Sequence, residues 1–127
     1  MLGNIMDGAR LPTIRELVAA LATRDGVEGV ILLGRDGLVI DGRSAQSADL
    51  DHLAAHVPPL VTAAEELSER AGRGELATAV LEYARGYAVV TTLTAEAVLL
   101  VLVGASANLG ALLYDLRTHR SHIASIV

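Results

Sequence analysis

The chain of 127 residues has no cysteine, no tryptophan and no phenylalanine, and its ten basic residues are all arginine. Each absence removes a class of chemistry. Without lysine there is no Walker-A phosphate lysine, no Schiff base and no kinase-type lysine. Without cysteine there is no thiolate nucleophile, disulfide framework, zinc ribbon or iron–sulfur ligation, and the redox compartment cannot be read from cysteine usage. Long apolar runs are missing too. The longest, residues 97–103, falls far short of the roughly 20 residues needed to cross a bilayer. Residues 1–10 hold no basic stretch followed by an apolar core, so no secretory signal is expected. Basic charge is scarce: the net charge is −5 and the pI near 5.2. That balance disfavours a phosphate backbone as partner, and three tyrosines leave little to stack on bases. The expectation is a soluble, cytoplasmic protein that binds neither nucleic acid nor membrane.

What the chain has is aliphatic bulk. Hydrophobic residues make up 52% and mean hydropathy is +0.46, which argues for an ordered core built from Leu, Val, Ile and Ala. The length suits one domain. Residues 1–11 lack periodicity and read as an N-terminal tail, leaving residues 12–127 as the domain. Thr13 and Glu16 have capping-box spacing, and Ile14, Leu17, Val18 and Leu21 recur at helical intervals behind them. Asp25-Gly26 ends that helix. Two short apolar runs flank Asp36-Gly37, a hairpin signal. Ser47 or Asp49 can cap a second helix.

From Leu50 the pattern turns helical again. Leu50, Leu53, Val57, Leu60, Ala64, Leu67 and Ala71 form a stripe spaced by threes and fours. Ala54 and Val61 fall beside it and widen the apolar arc beyond what one sheet contact needs. Thr62, Glu65, Glu66, Glu69, Arg70 and Arg73 take the polar arc. Pro58-Pro59 removes two backbone donors mid-pattern, so the helix must kink there or restart at Pro58. Gly72 and Gly74 close it. A partly alternating run, residues 75–85, is followed by strands at 87–93 and 97–103, the last apolar on both faces as a central strand should be. Ser106 or Asn108 then caps a final amphipathic helix. The order α-β-β-α-β-β-β-α predicts an α/β (α+β) fold: a single five-stranded, mostly antiparallel sheet flanked by helices on both faces.

No side-chain set converges as an active site. His52 and His56 stand one helical turn apart, but no third metal ligand or zinc-protease glutamate accompanies them. His119 and His122, with Arg117 and Arg120, suit the last turn of the final helix, where cations complement the dipole. Glu65, Glu66 and Glu69 form a wet acidic cluster unsuited to a shifted catalytic carboxylate. As a recognition surface, the same cluster could meet a basic partner. No nucleophile elbow and no strand–glycine–helix phosphate loop occur. No catalytic residue, metal ligand or cofactor is expected.

Association is the stronger signal. The third strand should lie at a sheet edge, and its Val80 and Leu81 are unguarded by proline or lysine. One two-fold axis could cover that edge and the surplus apolar surface of the second helix, beside Ala54 and Val61, by pairing strand with strand and helix with helix.

These features together resemble the Roadblock/LC7 family, near its bacterial MglB-type branch. The carriers are Gly29-Val30-Ile31-Leu32-Leu33-Gly34-Arg35-Asp36-Gly37-Leu38-Val39-Ile40, the long second helix, Val80-Leu81-Glu82-Tyr83, and Tyr87-Ala88-Val89-Val90. Val98-Leu99-Leu100-Val101-Leu102-Val103 and Ala107-Asn108-Leu109-Gly110 complete the set. The resemblance implies a homodimer joined through the third strands, with Thr78, Ala79, Val80, Leu81 and Glu82 as the seam and the second helices antiparallel on one face. It also implies binding a small Ras-like GTPase, as a scaffold or GTPase-activating partner that adjusts the GTPase's own catalytic groups. On that basis Glu65, Glu66, Glu69, Arg70 and Arg73 become candidate partner contacts. The alternative is a small-molecule sensor module of PAS-like or profilin-like type, against which the shortage of aromatic side chains counts.

Overall fold

A computed structural model describes Leu2, residues 12–45 and residues 49–127. Apart from Leu2, the expected N-terminal tail lies outside the described residues, as does the alternative cap Ser47. The elements run α1 (Ile14–Ala22), β1 (Val27–Gly34), β2 (Val39–Ser44), α2 (Leu50–Ala55), α3 (Val57–Ala71), β3 (Thr78–Tyr83), β4 (Gly86–Thr92), β5 (Ala97–Gly104) and α4 (Leu109–Ile126). The sheet order is β2-β1-β5-β4-β3. Every neighbouring pair is antiparallel, so the sheet is wholly rather than mostly antiparallel.

Local chemistry explains the element boundaries. The Thr13 hydroxyl accepts the Glu16 N–H at 3.2 Å, and the Glu16 carboxylate accepts the Thr13 N–H at 3.0 Å, the reciprocal pair of a capping box. Asp49 caps α2 by accepting from the Asp51 and His52 N–H groups. Asn108 rather than Ser106 caps α4, accepting the Ala111 N–H at 3.0 Å. The long second helix is two helices: α2 ends at Ala55, His56 makes the joint, and α3 restarts with the prolines in its first turn, where a missing N–H costs nothing. The final helix runs on to Ile126, so His119, Arg120 and His122 sit inside it rather than in its last turn, and the dipole account of them does not hold.

Alternation along the central strands divides the core in two. Val30 and Leu32 of β1, Val89 of β4, and Leu99, Val101 and Val103 of β5 pack against Leu17, Val18 and Leu21 of α1 and against Leu112, Leu116 and Ile123 of α4. Leu2 is buried in the same cluster. On the other face Ile31, Leu33, Ala88, Val90, Val98 and Leu100 meet Ala54, Val57 and Val61 of α2 and α3. The layers are therefore α1 and α4, sheet, α2 and α3. An ion pair between Arg24 and Asp115, with side chains only 7% and 23% exposed, fastens the end of α1 to α4.

Two substitutions check this account. Gly86 sits at φ +147°, and a Cβ there would lie 2.1 Å from the Val103 carbonyl oxygen. Gly86→Ala should therefore cost about 2–4 kcal/mol in urea denaturation. Thr13→Ala, which removes one cap acceptor, should cost about 1 kcal/mol in the same assay.

Candidate interaction surface

Among the described residues β3 pairs with β4 on one side only, in the register Thr78↔Thr91 to Tyr83↔Gly86, and it ends the sheet. Its alignment extends beyond Thr78, because the Thr92 N–H donates to the Ala77 carbonyl at 3.1 Å and the Thr92 hydroxyl to the Leu76 carbonyl. Ala79 and Leu81 are half-buried toward α2 and α3. Val80 points to the opposite face and is 40% exposed. Thr78 is half-buried, and Glu82 and Tyr83 are exposed.

The helical layer beside this edge divides its apolar surface differently from the expectation. Ala54 and Val61 are 0% and 4% exposed and face the chain's own sheet together with Val57, so they offer nothing to a second molecule. The larger leucines of these helices lie to the flank of that contact. Leu53 and Leu60 are half-buried there, and Leu67 is 70% exposed. Between this flank and the sheet runs an apolar groove of about 400 Å3, whose walls include Leu53, Leu60, Leu81, Tyr83, Leu100 and Leu102. The groove opens toward the β3 edge through Leu81 and Tyr83.

The polar side of α3 faces away from the groove. Glu65 is not free there: Arg35 donates to both its carboxylate oxygens at 3.1 Å and, through Nε, to the Thr94 carbonyl at 3.4 Å. With side chains 31% and 43% exposed, that pair contributes at most about 1 kcal/mol; its effect is to position the turn after β4 against α3. From the opposite layer, Arg120 donates to the Thr92 carbonyl at 2.8 Å and to its hydroxyl at 3.0 Å. Arg35, Glu65, Glu75 and Arg120 line a polar cavity of about 430 Å3 at this end of the sheet. Glu66, Glu69 and Arg70 stay exposed on the α3 ridge. Arg73 lies past the helix, beyond the left-handed Gly72, and its N–H closes the end by donating to the Ser68 carbonyl at 3.0 Å.

His52 and His56 rings lie 5.1 Å apart, with His56 Nδ1 2.9 Å from the His52 carbonyl. Among the described residues no group of three His, Asp or Glu side chains is placed to hold a metal ion. Sequence reasoning missed Tyr83 at the groove and the roles of Arg35 and Arg120. The intervals between Leu53, Leu60 and Leu67 carry a readable signal for the open flank, whereas nothing local marks either arginine, whose partners lie 28 to 59 residues away.

The model for the Roadblock/LC7 domain matches residues 13–103. An uncharacterised protein of Methanocaldococcus jannaschii is 30% identical over 97 residues, 76% of this chain and 84% of its own length. Among solved structures, a Roadblock/LC7 domain from Streptomyces avermitilis superposes with a TM-score of 0.79 at 23% identity, covering 90% of this chain and 97% of the other. MglB of Myxococcus xanthus superposes with a TM-score of 0.78 at 20% identity, covering 91% and 97%. At those identities the structures speak for the fold, and the sequence match speaks for the family. The chain belongs to the Roadblock/LC7 domain family.

Proposed function

We propose that this chain is a non-enzymatic homodimer that regulates or scaffolds a small Ras-like GTPase. One observation carries the reading: the β3 edge, unpaired among the described residues and with Val80 40% exposed, is continuous with an apolar groove of about 400 Å3 whose walls include Leu53 and Leu60. A row of unpaired backbone groups and an apolar groove on one side invite a single partner surface that has both a strand and a helix to offer. A second copy has both. Strand then pairs with strand through residues 78–82, while Leu60 and Leu67 of each α3 enter the groove region of the other. The likeness in fold to MglB supports the GTPase as third member.

The charged ridge of Glu66, Glu69 and Arg70, with Arg73 at its end, is the surface left for that GTPase. A two-fold axis presents it twice, and charges of this kind govern encounter and selectivity more than raw affinity. Glu65 contributes through its hold on Arg35 rather than by direct contact. The regulator acts by holding the GTPase's own groups in place, a role that needs surface complementarity and no catalytic residue of its own.

Light scattering should give a dimer for the unmodified chain, and Val80→Asp should reduce the mass to 13.2 kDa; an unchanged mass for that variant would count against the strand seam. Addition of the chain to a small GTPase encoded beside its gene should change the rate of GTP hydrolysis or retain the GTPase on co-elution. Glu66→Lys with Glu69→Lys should weaken that effect roughly tenfold or more without altering the dimer mass. A GTPase whose rate and elution are both indifferent to the chain would end the regulator reading. If hydrolysis accelerates, Arg70→Ala and Arg73→Ala report whether either arginine is donated.

A further inference from the structure

Two arginines grip the turn after β4 in the same way. Arg35 donates through Nε to the Thr94 carbonyl at 3.4 Å, and Arg120 through Nε to the Thr92 carbonyl at 2.8 Å. Each then uses one Nη on a side chain, Arg35 on the Glu65 carboxylate and Arg120 on the Thr92 hydroxyl. That hydroxyl donates onward to the Leu76 carbonyl, which leaves its lone pairs to the guanidinium. Both arginines line the cavity of about 430 Å3 at this end of the sheet, within the roughly 300–1,000 Å3 of small-molecule sites.

A guanidinium carries five N–H donors in a rigid fork. Arg120 has spent two of them, and among the described residues nothing accepts from those left on Nη1 and Nη2. Together these two nitrogens make the end of the fork, an edge that fits a carboxylate bidentately. No carboxylate of the described residues fills it: Asp115 is held by Arg24, and Glu65 by Arg35. Glu75 lines the same cavity, yet among the described residues its carboxylate accepts no hydrogen bond and forms no ion pair. The cavity therefore holds one unmatched charge of each sign, set too far apart to pair with each other.

This balance selects the ligand. A simple anion on Arg120 would meet the carboxylates of Glu65 and Glu75 in the same walls. A simple cation at Glu75 would meet two guanidiniums. A molecule carrying both a carboxylate and an ammonium satisfies each unmatched group and leaves the cavity neutral. Between its charged ends, an aliphatic segment would meet Leu76, Leu93 and Ala95, which supply apolar lining. We propose that this cavity binds a small zwitterionic amino acid, its carboxylate on the Arg120 fork and its ammonium on Glu75. Arg120 is already pinned to Thr92, so little of its side-chain freedom is lost on binding. Every group involved belongs to one copy of the chain, so the site is independent of the homodimer reading.

Equilibrium titration of the full chain tests the assignment. Leucine and δ-aminovalerate offer the two charges at short and long separation, and at least one should bind with a Kd of about 1 mM or tighter. Valerate and butylamine, each lacking one charge, should bind roughly tenfold more weakly or worse. Valerate binding as tightly as the better zwitterion would overturn the assignment in favour of a plain anion site. Failure of both zwitterions to bind would overturn the site altogether. Glu75→Gln, at an exposed position, should remove the zwitterion's advantage over valerate. Arg120→Gln should abolish binding of both, with urea denaturation confirming that the variant folds; if loss of the Thr92 contact unfolds it, Glu75→Gln alone decides. A zwitterion that binds the folded variants as well as the unmodified chain would lie elsewhere, and the proposal would fall.

Discussion

A strand built from Ala, Val and Leu with a closing glycine must be kept from water on both faces, and β5 is that strand. Only Leu102 and Gly104 along it are more than slightly exposed. Its burial requires a neighbour at each edge and a helical layer on each side, and β1, β4, α1 with α4, and α2 with α3 meet those four demands. The consequences spread outward. Once β1 and β4 flank β5, their hairpin partners β2 and β3 have nowhere to go but the margins. An edge strand with apolar side chains is thus the geometric result of burying the centre.

The absence of Phe and Trp shapes how the helices sit on this sheet. Ala54, Val57 and Val61 form the buried contact of α2 and α3 with the sheet, and Leu53 and Leu60 stand half-buried at its side. The groove lies between those leucines and the sheet. The joint at His56 adds to it, since it sets α2 and α3 as separate rods whose flanking leucines, Leu53 and Leu60, both reach the same trough. At the other end of the sheet the turn after β4 is gripped from both layers, by Arg35 from the β1–β2 turn and by Arg120 from α4. Loops at that end are thereby tied to both helical layers, and the α3 ridge is held at a defined height above the sheet through Glu65.

Much of this was legible in local pattern. The Thr13–Glu16 box, the Asp36-Gly37 turn, the restart at the prolines and the two-faced apolarity of β5 each depend on residues a few positions apart, and each stands in the structure where the pattern puts it. So does the edge position of β3, which comes from the order of hairpins around a central strand. The sorting of the second helix was not legible, because a stripe of Leu, Val and Ala shows that a face is apolar without showing which of its residues touch the sheet. Ala54 and Val61 look peripheral to the stripe and prove to be its buried centre.

By itself, then, the sequence determined the element order, the aliphatic core, the acidic balance and the lack of thiol and lysine chemistry, since these are set by residue identity and short-range spacing. Only the tertiary structure decided which apolar residues remain open, that Glu65 is committed to Arg35, and that Arg120 reaches across the end of the sheet to Thr92. Those contacts join residues far apart in the chain. Their geometry comes from how closely helix layers settle on a sheet, a quantity fixed by side-chain volumes packed together and not by any one segment.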